Sequence, residues 1–277
     1  MSTFRTRVGA ISAGLTQMVY GTAVDVDLPS DARYLLGVEI SGADPTYTTA
    51  EGGAGMVKLH SDSFKGDIEL LTGPITTSGP GTNGSGQAMT PDYVDLAVED
   101  LSGGDAIKVS ATVTTTLTTA RLYEVVLISS DVAPPKDWFA WANDGCGPFA
   151  WAAVQAGTQL TTTRTALTGI QMPGWIDAIR GVRAVMHKTG AITAGEEVMG
   201  TIEITSTKAK LGEQSFVTNA LGATLGTPVG TGMYHDHIEW ARCVIPSGGA
   251  KQTITPYVNL RTAVTTANRV AVCIAGV

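Results

Sequence analysis

The groups best suited to chemistry in this 277-residue chain are His235 and His237, which flank Asp236 in the run "HDH". Residues i and i+2 of a strand share a face, so two imidazoles placed there could hold a metal ion between them. A related segment earlier in the chain carries Pro91 and Tyr93 at the matching positions, so the pair is no part of a common scaffold. It reads as a polar strand end rather than a metal centre. Asp92 and Asp236 do match, as do Asp95 and Glu239. Such paired carboxylates suit turn capping better than Ca²⁺ binding, because no DxDxDG-like loop accompanies them. Ca²⁺ is the cofactor these acids bring into question, and none is expected.

Glu196 and Glu197 could in principle serve as the two acids of a glycosidase. Nothing in the sequence sets them in a cleft, and they read as solvated loop residues. Cys146, Cys243 and Cys273 are odd in number and lack CxxC spacing, which indicates neither a zinc site nor a disulfide framework. A Cys243–Cys273 bridge stays open if their strands are neighbours, with small buried thiols the favoured reading. The chain has no G-x-S-x-G elbow, P-loop, HExxH or dinucleotide fingerprint. "GPGTNGSG" is rich in glycine but lacks the lysine and following helix of a phosphate site. No enzymatic activity is expected.

The elements that carry these residues are read from composition and pattern. Net charge is −7, which argues against nucleic-acid binding, and Arg5 with Arg7 is too small a basic arm to reverse that. Charged residues make up 16% of the chain, against roughly a quarter in an average domain. Threonine, serine and glycine supply the polarity instead, a mixture suited to strands and tight turns. Surfaces poor in charge are easier to desolvate, which favours packing against other chains. "MSTFRTRVGAISAGLTQ" lacks the apolar core of a secretory signal. No run approaches the ~18 apolar residues of a membrane-spanning helix.

The chain also repeats itself. "LPSDARYLLGVEI" at Leu28–Ile40 resembles "MPGWIDAIRGVRA" at Met172–Ala184, with Pro29 over Pro173, Gly37 over Gly181 and Val38 over Val182, each pair 144 positions apart. At the same spacing Thr49-Ala50 matches Thr193-Ala194, Gly86 matches Gly230, Met89 matches Met233, and "DYVDLA" from Asp92 lies over "DHIEWA" from Asp236. Slips of one and then two residues align "SGGDAIKVSATV" from Ser102 with "SGGAKQTITPYV" from Ser247, and "TTARLYEVVLI" from Thr118 with "TTANRVAVCI" from Thr265. Preserved order with slips at turn-like positions indicates a tandem duplication. The middle of each copy diverges, as loops on a common scaffold do.

Strand signals dominate. "AVDVDL" (Ala23–Leu28) sets Val24, Val26 and Leu28 on one face, and the run from Ala106 to Leu117 turns Ile107, Val109, Ala111 and Val113 inward. "GTIEITST" puts Ile202 and Ile204 opposite Glu203, while "RLYEVVLIS" and "NRVAVCIAGV" are apolar enough for central strands. Only "AGEEVMG" and "PKDWFAWA" suggest helical turns. The expected fold is all-β: two tandem antiparallel β-sandwiches of jelly-roll type, each of seven or eight strands. The first spans residues 1–130 and the second 152–277, with the segment at Leu28 opening the repeated unit. Residues 131–151 form an aromatic, Pro-containing connector with Trp138, Trp141 and Trp151, packed between the domains to fix their orientation. Pro29, Pro173, Gly37 and Gly181 are expected to serve backbone geometry. The outward face is rewritten between copies, Arg33, Tyr34 and Glu39 becoming Asp177, Ala178 and Arg183, as expected if each copy touches different neighbours.

Two similar sandwiches, few charges and a rigid connector make the chain resemble the double jelly-roll major capsid proteins of icosahedral viruses. The resemblance covers nearly the whole chain at the level of architecture and rests on no diagnostic motif. It implies a structural coat subunit that self-assembles as homotrimers into pseudo-hexagonal capsomers, with other virion proteins as partners. It also implies a product made in the host cytoplasm and ending in the virion. A phage head-decoration or fibre protein would share most of these features. A tandem carbohydrate-binding or adhesin module is the other alternative, but it would repeat an aromatic platform, and here Tyr93 lies over His237 and Trp240 over Leu96.

Overall fold

The computed structural model describes residues 1–44, 54–74, 87–88, 92–98, 101, 106–114, 116–117, 120–133, 149–176, 178–188, 200–206, 214–217, 245–246, 252–264 and 268–276. Among them the regular structure is all strand, with no helix. The first set comprises β1 (Thr3–Ser12), β2 (Val24–Asp27), β3 (Tyr34–Asp44), β4 (Ala54–His60), β5 (Ile68–Pro74), β6 (Gln87–Ala88), β7 (Asp92–Val98), β8 (Ala106–Val113) and β9 (Leu122–Ser130). The second comprises β10 (Trp151–Gln159), β11 (Thr165–Ala166), β12 (Ile170–Met172), β13 (Ala178–Lys188), β14 (Gly200–Ser206), β15 (Gln214–Val217), β16 (Ile245–Pro246), β17 (Gln252–Leu260) and β18 (Asn268–Gly276).

Alternation places these strands as the sequence expects. Ile107, Val109, Ala111 and Val113 of β8 are fully buried, and so are Ile202 and Ile204 of β14. In β2, Val26 is buried between exposed Asp25 and Asp27. Ser110 and Thr112, on the other face of β8, are buried as well. Residues 13–21 fold over that face: Thr112 Oγ1 donates to the Val19 carbonyl (2.7 Å), and the Met18 amide donates to the Val113 carbonyl (3.0 Å).

Strand pairing repeats. In the first set the orders are β1-β9-β3, with β6 and β7 both on β3, and β5-β4-β8-β2. In the second they are β10-β18-β13-β16, and β17-β14-β15 with β11 and β12 both on β17. Counting each split strand once, position 1 pairs 8, 8 pairs 3 and 3 pairs 6. Position 2 pairs 7, 7 pairs 4 and 4 pairs 5. Both sets obey the same order, and each has its own cluster of buried apolar residues.

Local detail repeats too. β3 and β13 have bounds 144 positions apart, as the sequence match requires. Before each, a proline carbonyl closes a turn with the amide three residues on: Pro29 with Ala32 at 2.8 Å, Pro173 with Ile176 at 3.2 Å. The register then slips between Leu35 and Gly37 in one strand and between Ile179 and Gly181 in the other, a bulge at the same place. The matched prolines and glycines therefore mark a turn and a bulge. The segment at Leu28 does not open the unit, however. β1 and β2 precede β3, and β1 carries no sequence match strong enough to show this.

The two sets also point the same way. β8 ends where β1 ends, since the Leu117 amide donates to the Leu15 carbonyl at 2.8 Å. β17 ends likewise where β10 ends, with the Val264 amide on the Leu160 carbonyl at 2.9 Å. β5 is antiparallel to β4 and β4 to β8, so β5 runs with β1. A parallel bridge between Ile68 of β5 and Ala152 of β10 then carries that direction into the second set. This bridge also joins β5-β4-β8-β2 and β10-β18-β13-β16 into one eight-stranded sheet.

Candidate assembly surfaces

Beyond its bridge to β10, β5 lies across the outer face of the β10-β18-β13 sheet. That face is built from small residues, Ala152, Val154, Ala271, Cys273 and Ala275, all nearly inaccessible to water and clustered with the first core. The Val154 amide donates to Glu69 Oε2 (3.2 Å), and the Cys273 thiol reaches the Glu69 carbonyl (3.6 Å). Arg183 of β13, only 2% exposed, donates from Nη1 to the Leu71 carbonyl at 2.8 Å. Small side chains let one strand cross another closely, and the guanidinium supplies a charged donor to a β5 carbonyl. Burial pushes the Cys273 thiol up to about 12, with the Arg183 charge acting in the opposite direction. The thiol stays protonated and unreactive there. Further along, Gly66 approaches Trp151 and Trp175, and Lys65 Nζ stands 5.7 Å from the Trp175 ring centroid.

The same outer face in the first set, on β1-β9-β3, is different. Arg5 pairs with Glu39 and Arg7 with Glu124, two cross-strand ion pairs bridging β1 to β3 and β1 to β9. Hydrogen bonding to Arg7 lowers the Glu124 carboxyl below its usual range and raises the Arg7 guanidinium. Both arginines are more than half exposed. Register makes the two faces equivalent: Arg5 stands opposite Ile128 as Ala152 stands opposite Ala275, and Arg7 opposite Val126 as Val154 opposite Cys273. Glu39 and Arg183 are the matched pair 144 apart.

A third feature lies on the β5-β4-β8-β2 sheet, away from its core. His60 Nδ1 and Asp67 Oδ1 are 2.6 Å apart, and Lys58 Nζ lies 2.5 Å from Asp67 Oδ2. Partial burial raises the Asp67 carboxyl, but hydrogen bonds and charge from Lys58 and His60 outweigh it, and the net shift is downward. Lys58 also sits 5.4 Å from the Tyr20 ring centroid, and burial with the nearby Glu69 charge pushes the Tyr20 hydroxyl upward. Beside this cluster His60, Ser61, Asp62, Ala106 and Lys108 line a shallow cavity of about 140 Å³. No group of three or more His, Cys, Asp or Glu side chains converges as a metal site among the described residues. On the second set's outer sheet, Arg164 stacks 3.5 Å from the Tyr257 ring centroid and donates to Glu203 (2.5 Å).

Of the residues singled out in the sequence, Pro29, Pro173, Gly37 and Gly181 sit at the repeated turn and bulge described above. Trp151 is the first residue of β10 and is buried in the second core, so the second set begins at the last residue of the expected connector. Phe149, two residues before it, bridges Leu96 of β7. Trp138 and Trp141, the "HDH" run with His235, Asp236 and His237, Glu239, Glu196 and Glu197, Cys146 and Cys243, and both expected helical turns, save Gly200 at the start of β14, lie outside the described residues. Asp92 and Asp95 fall in β7. Sequence reasoning did not single out Glu69 or the small-residue face of β18. The change from Glu39 to Arg183 was the signal that could have led there.

No family model and no curated protein matches the chain. Among solved structures, one described as PNGF-II is similar over 99% of this chain and 65% of its own, at 10% identity and TM-score 0.49. One from an archaeal virus, described by its triple jelly roll fold and turret assembly, is similar over 97% of this chain and 58% of its own (9%, 0.24). The T=1 Penaeus vannamei nodavirus structure is similar over 100% and 99% (10%, 0.22). The chain thus spans less than two thirds of the length of the first two.

Proposed function

We propose that this chain is a non-enzymatic virion protein, the coat subunit of an icosahedral shell, built from two jelly rolls that arose by duplication. The observation that carries this is the repeated strand order in two sets facing the same way. The order 1-8-3-6 and 2-7-4-5 is that of a jelly roll, a fold used in capsids. Two such units pointing alike in one chain let three chains present six similar units around an axis. Closed rings of this kind suit a shell, because heterologous contacts that close give finite, repeatable capsomers. Supporting this, the repeat keeps its turn and bulge while the outer faces diverge, as assembly against different neighbours requires. The units correspond to residues 1–130 and 151–277 with the connector 131–150 between them. The protein then resides in the virion, with other virion proteins as partners.

The test is recovery from the producing host. The coat reading expects the chain in nuclease-resistant particles that band by density and contain nucleic acid. Recovery only as free protein, with no particle fraction, contradicts it.

A further inference from the structure

We infer that the chain carries, in its own fold, the template for its contact with the next copy: the outer face of β1-β9-β3 receives the β15 edge of a second copy. This rests on the coat reading and names the surface that reading needs. Within one chain, β5 ends the β5-β4-β8-β2 sheet of the first unit and crosses the β10-β18-β13 face of the second. The equivalent pieces are both unmated among the described residues. β15 is the end strand of the second unit's β17-β14-β15 sheet, and the β1-β9-β3 face carries its exposed ion pairs into solvent. Repeating the internal contact between chains sets β15 of one copy across that face in the next. The contact is heterologous, so it continues from chain to chain until it closes.

The chemistry of the two faces fits their different histories. The internal face is covered as the chain folds and never has to be soluble alone, so it can be small and apolar. The external face must stay soluble until a second copy arrives. Its charges are already paired, Arg5 with Glu39 and Arg7 with Glu124, so covering it leaves no lone charge behind. The partner strand, "QSFV", is uncharged. A net-neutral face meeting an uncharged edge avoids the repulsion that two chains of net charge −7 otherwise carry into a contact.

Register gives the contacting positions. Leu71, the residue that meets Arg183, pairs with Met56, one position before Val57, which pairs with Ala111. Ala111 aligns with Pro256, whose partner is Ile204, and the residue before that, Glu203, pairs with Ser215. Ser215 therefore holds the place of Leu71, and Glu39 that of Arg183. The double variant Glu39→Cys, Ser215→Cys, assembled and treated with a short bismaleimide, is expected to give covalent two-chain and three-chain species. Each single variant, treated alike, is expected to give neither. Assembled double variant that forms no cross-chain link, or no more than the single variants, overturns the inference and leaves the coat reading standing. A wild-type chain that stays monomeric at every concentration overturns both. If the double variant itself fails to assemble, the singles are assembled together as a mixture. The same link, formed between unlike chains, is then expected, and its absence overturns the inference.

Discussion

The outer faces of β1-β9-β3 and β10-β18-β13 occupy the same place in two similarly ordered strand sets, yet one is charged and open while the other, built of small apolar residues beside the buried Arg183, is closed. Glu124 in the first set aligns with Ala271 in the second, Val126 with Cys273, and Ile128 with Ala275. The inward residues barely change character: Tyr123, Val125 and Leu127 become Val270, Val272 and Ile274, all buried. A core answers only to its own packing, so it keeps its pattern. An outer face answers to whatever covers it, and here the difference is the presence of β5.

The largest effect expected from this comparison comes from placing charge on the closed face. Ala271→Asp buries a carboxylate with no designed partner and is expected to cost about 3 kcal/mol or more. Glu124→Ala, its counterpart on the open face, is expected to leave the thermal midpoint nearly unchanged, as for most exposed ion pairs. Denaturant titration of both variants checks this. Equal losses would mean that the two faces are not different in burial.

Next in size is Arg183→Ala against Glu39→Ala. Losing the Arg183 guanidinium strips the Leu71 carbonyl of its 2.8 Å donor and opens a gap between the sets. A loss of about 2 kcal/mol is expected, partly offset because a buried charge is removed as well. Glu39→Ala is expected to change stability little. If Arg183→Ala is as mild as Glu39→Ala, β5 does not hold the second set through this contact.

The smallest effect concerns acid. Asp67 has its folded-state carboxyl lowered by Lys58 and His60, so its contribution is present above its unfolded value, about 3.9. That contribution is lost as pH falls through the lower folded value. Asp67→Asn is therefore expected to be less stable than wild type at pH 6 to 7, with the gap narrowing below about pH 4. Midpoints measured from pH 7 down to pH 2.5 test this, and a gap that widens in acid contradicts the sign.

Much of the fold was legible because period-2 alternation survives wherever one strand face is wet. β2, β8 and β14 could be read residue by residue, and the 144-residue spacing showed that the segments holding β3 and β13 correspond, without giving the ends of either strand. β5 could not be read in this way. Ile68, Leu70, Leu71 and Thr72 are all buried, and burial on both faces erases alternation. Arg183 misleads for a related reason, since an arginine on a strand reads as solvent-facing until a second layer is known to cover it. The crossing of β5 over β18 joins positions some 200 residues apart, and no local pattern encodes that. The candidate assembly surfaces were thus legible as divergence between the copies, but not as contacts.

Self-association of the purified full-length chain bears most directly on assembly as a coat, and sedimentation velocity across a wide concentration range at neutral pH measures it. Assembly predicts a boundary at the mass of three 28.7 kDa chains, or faster-moving shells, growing at the expense of monomer as concentration rises. A single monomer boundary that does not shift up to the solubility limit would contradict it.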